Sequence, residues 1–149
     1  MKAEYETYLE KIDLASETVK NNVELIIDYA SKLCNDKIID IFVNDYYEAD
    51  GSRGYGSLYL ISERYICEAR NFRNTGEYDI DVAPIKEGII YFRTSIKAYD
   101  FKNITKESRF MIECVSETGT SFQLKASYEN CNKLSEIIDK YIKPNMGII

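Results

Sequence analysis

Apolar positions recur along this chain with two different periods, and the change of period divides it. Tyr5, Tyr8, Ile12, Ala15, Val19, Ile26, Tyr29 and Leu33 follow one another at helical spacings, forming one stripe on a helical surface. Leu9, Val23, Ile27 and Ala30 widen that stripe, and no Gly or Pro interrupts residues 1–50. Ser16-Glu17 offers the start of a second helix. Residues 1–36 therefore read as one helix or a helical hairpin. From about Lys37 the period becomes two: Ile39, Ile41 and Val43 alternate with Asp40, Phe42 and Asn44. Strands are expected next over Leu58–Ile61, Arg64–Cys67 and Tyr78–Val82. Gly88–Phe92 and Ile96–Phe101 read as two strands or one bent one. The clearest hairpin pairs Phe110, Ile112 and Cys114 with Phe122, Leu124 and Ala126 across Glu117-Thr118-Gly119. Cys131, Leu134, Ile137, Ile138 and Tyr141 then form one face of a terminal helix. Ser127 is its expected N-cap and Lys143-Pro144 its end.

This layout gives an α+β fold and a single domain over 1–149. A helical region (1–36) precedes an antiparallel sheet or barrel of about seven strands (37–126), and a C-terminal helix (127–143) follows. Consecutive strands without intervening helices argue for antiparallel pairing. The length, 149 residues, suits one domain with its own core.

Composition narrows the function classes. The net charge of -6 and a pI of about 4.8 disfavour nucleic acid, whose binding needs Lys and Arg against phosphates. They favour a basic protein partner. No apolar run approaches the ~18 residues of a membrane span, and the charged start, Met1-Lys2-Ala3-Glu4, does not read as a signal peptide. The expected location is cytoplasmic. Cys34, Cys67, Cys114 and Cys131 are far apart, with no CxxC pair, and are expected as free thiols. There is no histidine, so Ser-His, Cys-His and HExxH chemistry is excluded. Neither a metal nor another cofactor is expected.

The segment from Lys37 to Ile142 resembles a bacterial pleckstrin-homology-like (GRAM-like) domain. Leu58-Tyr59-Leu60-Ile61-Ser62-Glu63-Arg64-Tyr65-Ile66 is similar to that family's early hairpin. Thr94-Ser95-Ile96-Lys97 is similar to its later strand entry. The last hairpin, followed directly by an amphipathic helix, resembles its barrel-capping end. The terminal helix departs from the pattern in having no Trp, which many eukaryotic members carry. The resemblance implies a partly open barrel that binds lipids, peptides or proteins, usually without catalysis.

Four local features compete for a role. Gly51-Ser52-Arg53-Gly54-Tyr55-Gly56 reads as a hairpin connection whose amides could also cradle an anion. The preceding Glu48-Ala49-Asp50-Gly51 matches a calcium loop only in part, because Tyr46 and Ser57 stand where carboxylates are required. Glu77, Asp79 and Asp81 share one strand face, which suits a solvated edge strand more than a cation site. Arg64, Arg70, Arg73 and Arg93 suit surface ion pairs more than an anion site.

The functional expectation is a non-enzymatic binding or adaptor module engaging a protein or peptide. Tyr46, Tyr47, Arg53, Tyr55 and Tyr59, around the glycine-rich segment, are its expected contacts, since tyrosine suits half-wet binding surfaces. One alternative is an acidic inhibitor or immunity-type protein against a basic enzyme. Another, from a different class, is a small enzyme using carboxylate and tyrosine groups. No specific lipid binding is expected, because Glu48 and Asp50 flank the single Arg53. A homodimer through Tyr5, Tyr8, Ile12, Val19 and Ile26 is also expected, with Asn22 as a polar position in the seam.

Overall fold

The computed structural model describes residues 1–74, 76–85, 91–100, 102–117 and 119–148. Among them the chain is α+β, with three α-helices and seven strands in two antiparallel sheets. The chain forms two compact units. The first comprises Met1–Ile41 and Ser57–Ala83, and the second Phe42–Gly56 and Pro84–Ile149.

The helical stretch is broken. Helix α1 (Ala3–Lys11) ends where Asp13 turns left-handed, with φ of 63°. Helix α2 (Glu17–Cys34) starts at Ser16, whose hydroxyl accepts the Val19 N–H at 3.3 Å. This satisfies one of the orphan donors of a helix start. Helix α2 ends at Asn35, again left-handed. The long continuous seam behind the homodimer expectation is therefore not formed. Tyr5, Tyr8, Ile12, Val19 and Ile26 are all buried, and so are committed to the chain's own core. Burial pushes the Tyr5 phenol up to about 12, and the charge of Asp40 adds to the shift.

Strands β1 (Ile38–Tyr47), β2 (Arg53–Ser62), β3 (Tyr65–Arg70) and β4 (Asp79–Pro84) form the larger sheet in chain order. In the first unit, Leu58 pairs with Ala69 and Leu60 with Cys67. These four side chains are fully buried, as are Leu9, Ile12, Val23, Ile26 and Ala30 of the helical segment. The Cys34 thiol, at the end of α2, donates to the Ala30 carbonyl at 3.0 Å.

In the second unit, β5 (Tyr91–Lys97), β6 (Arg109–Ser116) and β7 (Gly119–Ser127) form the smaller sheet. Phe110 faces Ala126, Ile112 faces Leu124 and Cys114 faces Phe122, which is the alternation expected of this hairpin. The strand expected over Gly88–Phe92 lies partly outside the described residues, and Tyr91 and Phe92 open β5. Helix α3 (Asn130–Ile137) runs on into a π-helical turn, Ile138–Ile142. Cys131, Leu134, Ile137, Ile138 and Ile142 are buried along it. Ser127 is not its cap: it closes β7, and its N–H donates to Asp45 Oδ1 at 2.9 Å. The preference of serine for helix starts is overridden here by a partner distant in sequence. All four cysteines are buried and free.

Candidate functional site

The glycine-rich segment is mostly strand. The turn itself is Glu48–Ser52, where the Gly51 N–H donates to the Glu48 carbonyl at 3.0 Å. Asp50 Oδ1 accepts from the Ser52 N–H at 2.9 Å and the Ser52 hydroxyl at 2.6 Å. These bonds hold the Asp50 carboxyl below its usual range. Asp50 thus serves the turn. Gly54 and Gly56 lie within β2. A Cβ on Gly54 would fall on the Tyr46 ring, and one on Gly56 would meet Asn44 Cβ at 3.2 Å. These two glycines make room for neighbouring side chains, which is why the segment is glycine-rich.

Arg53 is consumed internally. Its Nε donates to Asp45 Oδ2 at 2.9 Å and its Nη1 lies 2.6 Å from Glu129 Oε1. Asp45 is fully buried and also accepts from Asn130 Nδ2 at 2.7 Å. That same nitrogen reaches the Val43 carbonyl at 2.8 Å. Burial raises the Asp45 carboxyl against the lowering pull of Asn130, Arg53 and Ser127. The two carboxylates hold the Arg53 guanidinium well above its usual range despite its burial. The Tyr47 and Tyr55 rings lie 5.6 and 6.0 Å from Arg53, and Arg109 lies 5.2 Å from Tyr47. Cations over ring faces are attracted by the ring quadrupole.

The structure therefore brings Tyr47, Arg53 and Tyr55 together, as a polar cluster of the second unit. Tyr46 is exposed, and Tyr59 is buried in the first unit. The pairing logic that joins Arg53 to Asp45 is a hairpin contact. Ser127, Glu129 and Asn130 come from more than seventy positions away along the chain, beyond the reach of spacing arguments.

Arg64, Arg70 and Arg93 follow the ion-pair reading. Arg70 meets Asp81 at 2.6 Å, Arg93 meets Glu113 at 3.4 Å, and Arg64 meets Asp36 at 3.6 Å. Among the described residues, no three His, Cys, Asp or Glu side chains converge as a metal site, and Glu77, Asp79 and Asp81 are included in that.

A feature the periodicity did not single out lies in the first unit. Leu25, Tyr29 and Leu33 are exposed along α2 at intervals of four, with Leu33 showing 59% of its surface. They lie one residue off the buried line Ile26, Ala30 and Cys34. A groove of about 530 Å³ is lined by Tyr29, Lys32, Leu33, Glu77, Tyr78 and Ile80. Along β4 the carboxylates Asp79 and Asp81 are exposed, and Ile80 between them is half-buried. Val82 is also exposed, at 41%.

No family model matches this chain, and no curated protein matches it. A solved structure similar to it is the C-terminal domain of an unknown protein from Leishmania infantum, with 14% sequence identity and a TM-score of 0.48. The match covers 81% of this chain and 99% of that one. Among the described residues, no helix is long and apolar enough to cross a membrane.

Proposed function

We propose that this chain is a non-enzymatic binding module of pleckstrin-homology-like fold that engages a protein or peptide partner through the groove beside Leu33. One observation carries the reading: large apolar side chains stand in water next to a concave surface. Leu25, Tyr29 and Leu33 are 43%, 44% and 59% exposed, and Tyr29 and Leu33 line the groove. Clustered apolar exposure of this kind marks interaction sites.

The fold assignment has its own support. Seven strands followed by a C-terminal helix support it through their order along the chain, although the strands lie in two sheets of four and three. Four buried free thiols suit the reducing cytoplasm. The expected contacts move from the glycine turn to the groove, because Arg53 is already paired within the second unit.

Site-specific photocrosslinking tests this. A benzoylphenylalanine at Leu33, in cells that make the protein, is expected to give one discrete adduct that Tyr29→Asp removes. The same probe at Glu10, also exposed, is expected to give none. Identical adducts from the two positions, or no adduct at Leu33, would sink the reading.

A further inference from the structure

We infer that the occupant of this groove is an extended, basic segment of a partner protein, alternating apolar and cationic residues, which adds itself as a strand to the open edge of β4. The inference rests on the binding reading above and goes on to name the chemistry of the partner.

The sheet comes first. Strand β4 stands at the end of its sheet, and among the described residues β3 is its one neighbour. The outer backbone groups of an end strand are a template for another strand. The side chains come second. Along β4, Asp79 and Asp81 alternate with Ile80 and Val82; Glu77 and Tyr78 just precede the strand and line the groove together with Ile80, Tyr29 and Leu33. Directly opposed residues on paired strands lie about 4.5–5.5 Å apart at Cβ. A docked strand with period two would set its cations opposite the carboxylates and its apolar residues over the groove. Asp81 is already held by Arg70 at 2.6 Å, so on β4 a cation would fall on Asp79, and Glu77 would meet a second one at the groove itself.

Charge comes third. The first unit carries eight Lys and Arg against fourteen Asp and Glu, a net of -6, and the second carries eleven against eleven, a net of zero. The whole net charge of the chain thus belongs to the unit that bears the groove. Among the described residues, Lys32 is the one basic side chain lining it.

Carboxylates on an edge strand also deter stray pairing. Deterrence alone gives no reason to leave Tyr29, Leu33 and Val82 uncovered beside them. Together the two features act as a selector. The carboxylates repel acidic strands and penalise apolar ones, and they reward a cationic strand, so specificity comes from rejection as well as attraction.

The test uses the full chain and synthetic peptides followed by fluorescence anisotropy. A short fluorescein-labelled peptide alternating lysine and valine is expected to bind saturably. Its affinity should weaken roughly tenfold or more between about 0.05 and about 0.5 M salt, as screening predicts. Replacing lysine by glutamate, or substituting Asp79→Lys or Leu33→Asp in a protein of unchanged circular dichroism, is expected to cost a similar factor. Methylating the peptide amides on one edge should abolish binding, and methylating the other edge should leave it intact, because only one edge meets β4. Equal loss from both edges, or none from either, overturns strand addition. So does equal binding of a peptide with the same composition in a helical period. Binding that ignores Leu33→Asp is mere charge attraction and overturns the site. A doubled mass in sedimentation without peptide, lost in Leu33→Asp, makes a second copy the occupant instead. If no peptide binds while the Leu33 crosslink still forms, the groove reading stands and the cationic strand falls. If the crosslink also fails, both fall.

Discussion

The two units differ in how their charges are balanced. The second unit is electrically neutral, yet it buries a carboxylate, Asp45, against Arg53, Asn130 and Ser127. The first unit carries the net charge of the chain, although it buries Asp40, and it leaves apolar side chains in water along α2, as the second unit does at Tyr91 and Ile96 of β5. The second unit ties its buried ion pair into a network across the chain, whereas the exposed apolar line of the first unit runs along one helix beside a groove. A polar cluster rich in Tyr and Arg is thus a poor guide to a binding surface when its charges already have partners of their own.

The largest expected effect follows from the inward network. Removing one member of a buried ion pair leaves the other charge without compensation, which costs about 3–5 kcal/mol. Arg53→Met, which strands the buried Asp45, is expected to lower the unfolding free energy by that amount in urea titrations, and Asp45→Ala by somewhat less, because Arg53 keeps Glu129. The double variant Asp45→Ala with Arg53→Met is expected to cost less than the two singles combined, because members of one network are coupled. Additive losses would mean that the pair is not a unit.

A smaller effect is expected at Gly54, also in the second unit. A side chain there would overlap the Tyr46 ring; that ring is exposed and can swing aside, so the cost falls at the low end of the range of about 1–3 kcal/mol for overpacking a core. Gly54→Val should therefore be destabilising, and Tyr46→Ala in the same chain should restore part of the loss. An unchanged midpoint for Gly54→Val would show that Tyr46 does not lie across the strand.

In the first unit the corresponding probe is the helix break. Losing a serine N-cap costs about 1 kcal/mol, so Ser16→Ala should lower stability by that much. Ser16→Asp should lose little, since aspartate accepts the same Val19 N–H. A continuous helix through residues 12–16 would predict the reverse order, with alanine stabilising.

The sequence carried the alternating strands better than it carried the surfaces. The β6–β7 hairpin was legible because Phe110, Ile112 and Cys114 repeat with the same period as Phe122, Leu124 and Ala126, and both sets are buried. The start of α2 was legible as an alternative, from Ser16-Glu17. The exposed line on α2 was not. Tyr29 and Leu33 lay within one wide apolar stripe with Ile26 and Ala30, and neighbouring lines on a helix differ by about 100°. Which line turns inward depends on what packs against it, and that is a tertiary fact. The internal pairing of Arg53 was hidden for a similar reason. Glu129 and Asn130 follow it by more than seventy residues, so nothing local marked it as already paired.

The smallest expected effect is the sharpest probe of the contrast between the units. Leu33 is the most exposed large apolar side chain on α2, so folding removes little of its surface from water, and burial is what makes an apolar residue stabilising. Exposed substitutions away from special features stay within about 0.5 kcal/mol. Leu33→Ser should therefore leave the urea midpoint nearly unchanged, whereas Asp45→Ala, a change at one polar residue of the other unit, should move it far. Serine is a weaker helix former than leucine, by a few tenths of a kcal/mol. Any residual loss should then match that of Lys32→Ser, its neighbour on the same turn. If Leu33→Ser costs about 2 kcal/mol or more, the side chain packs against something within the folded chain, α2 does not present an open apolar face, and the contrast between the two units disappears.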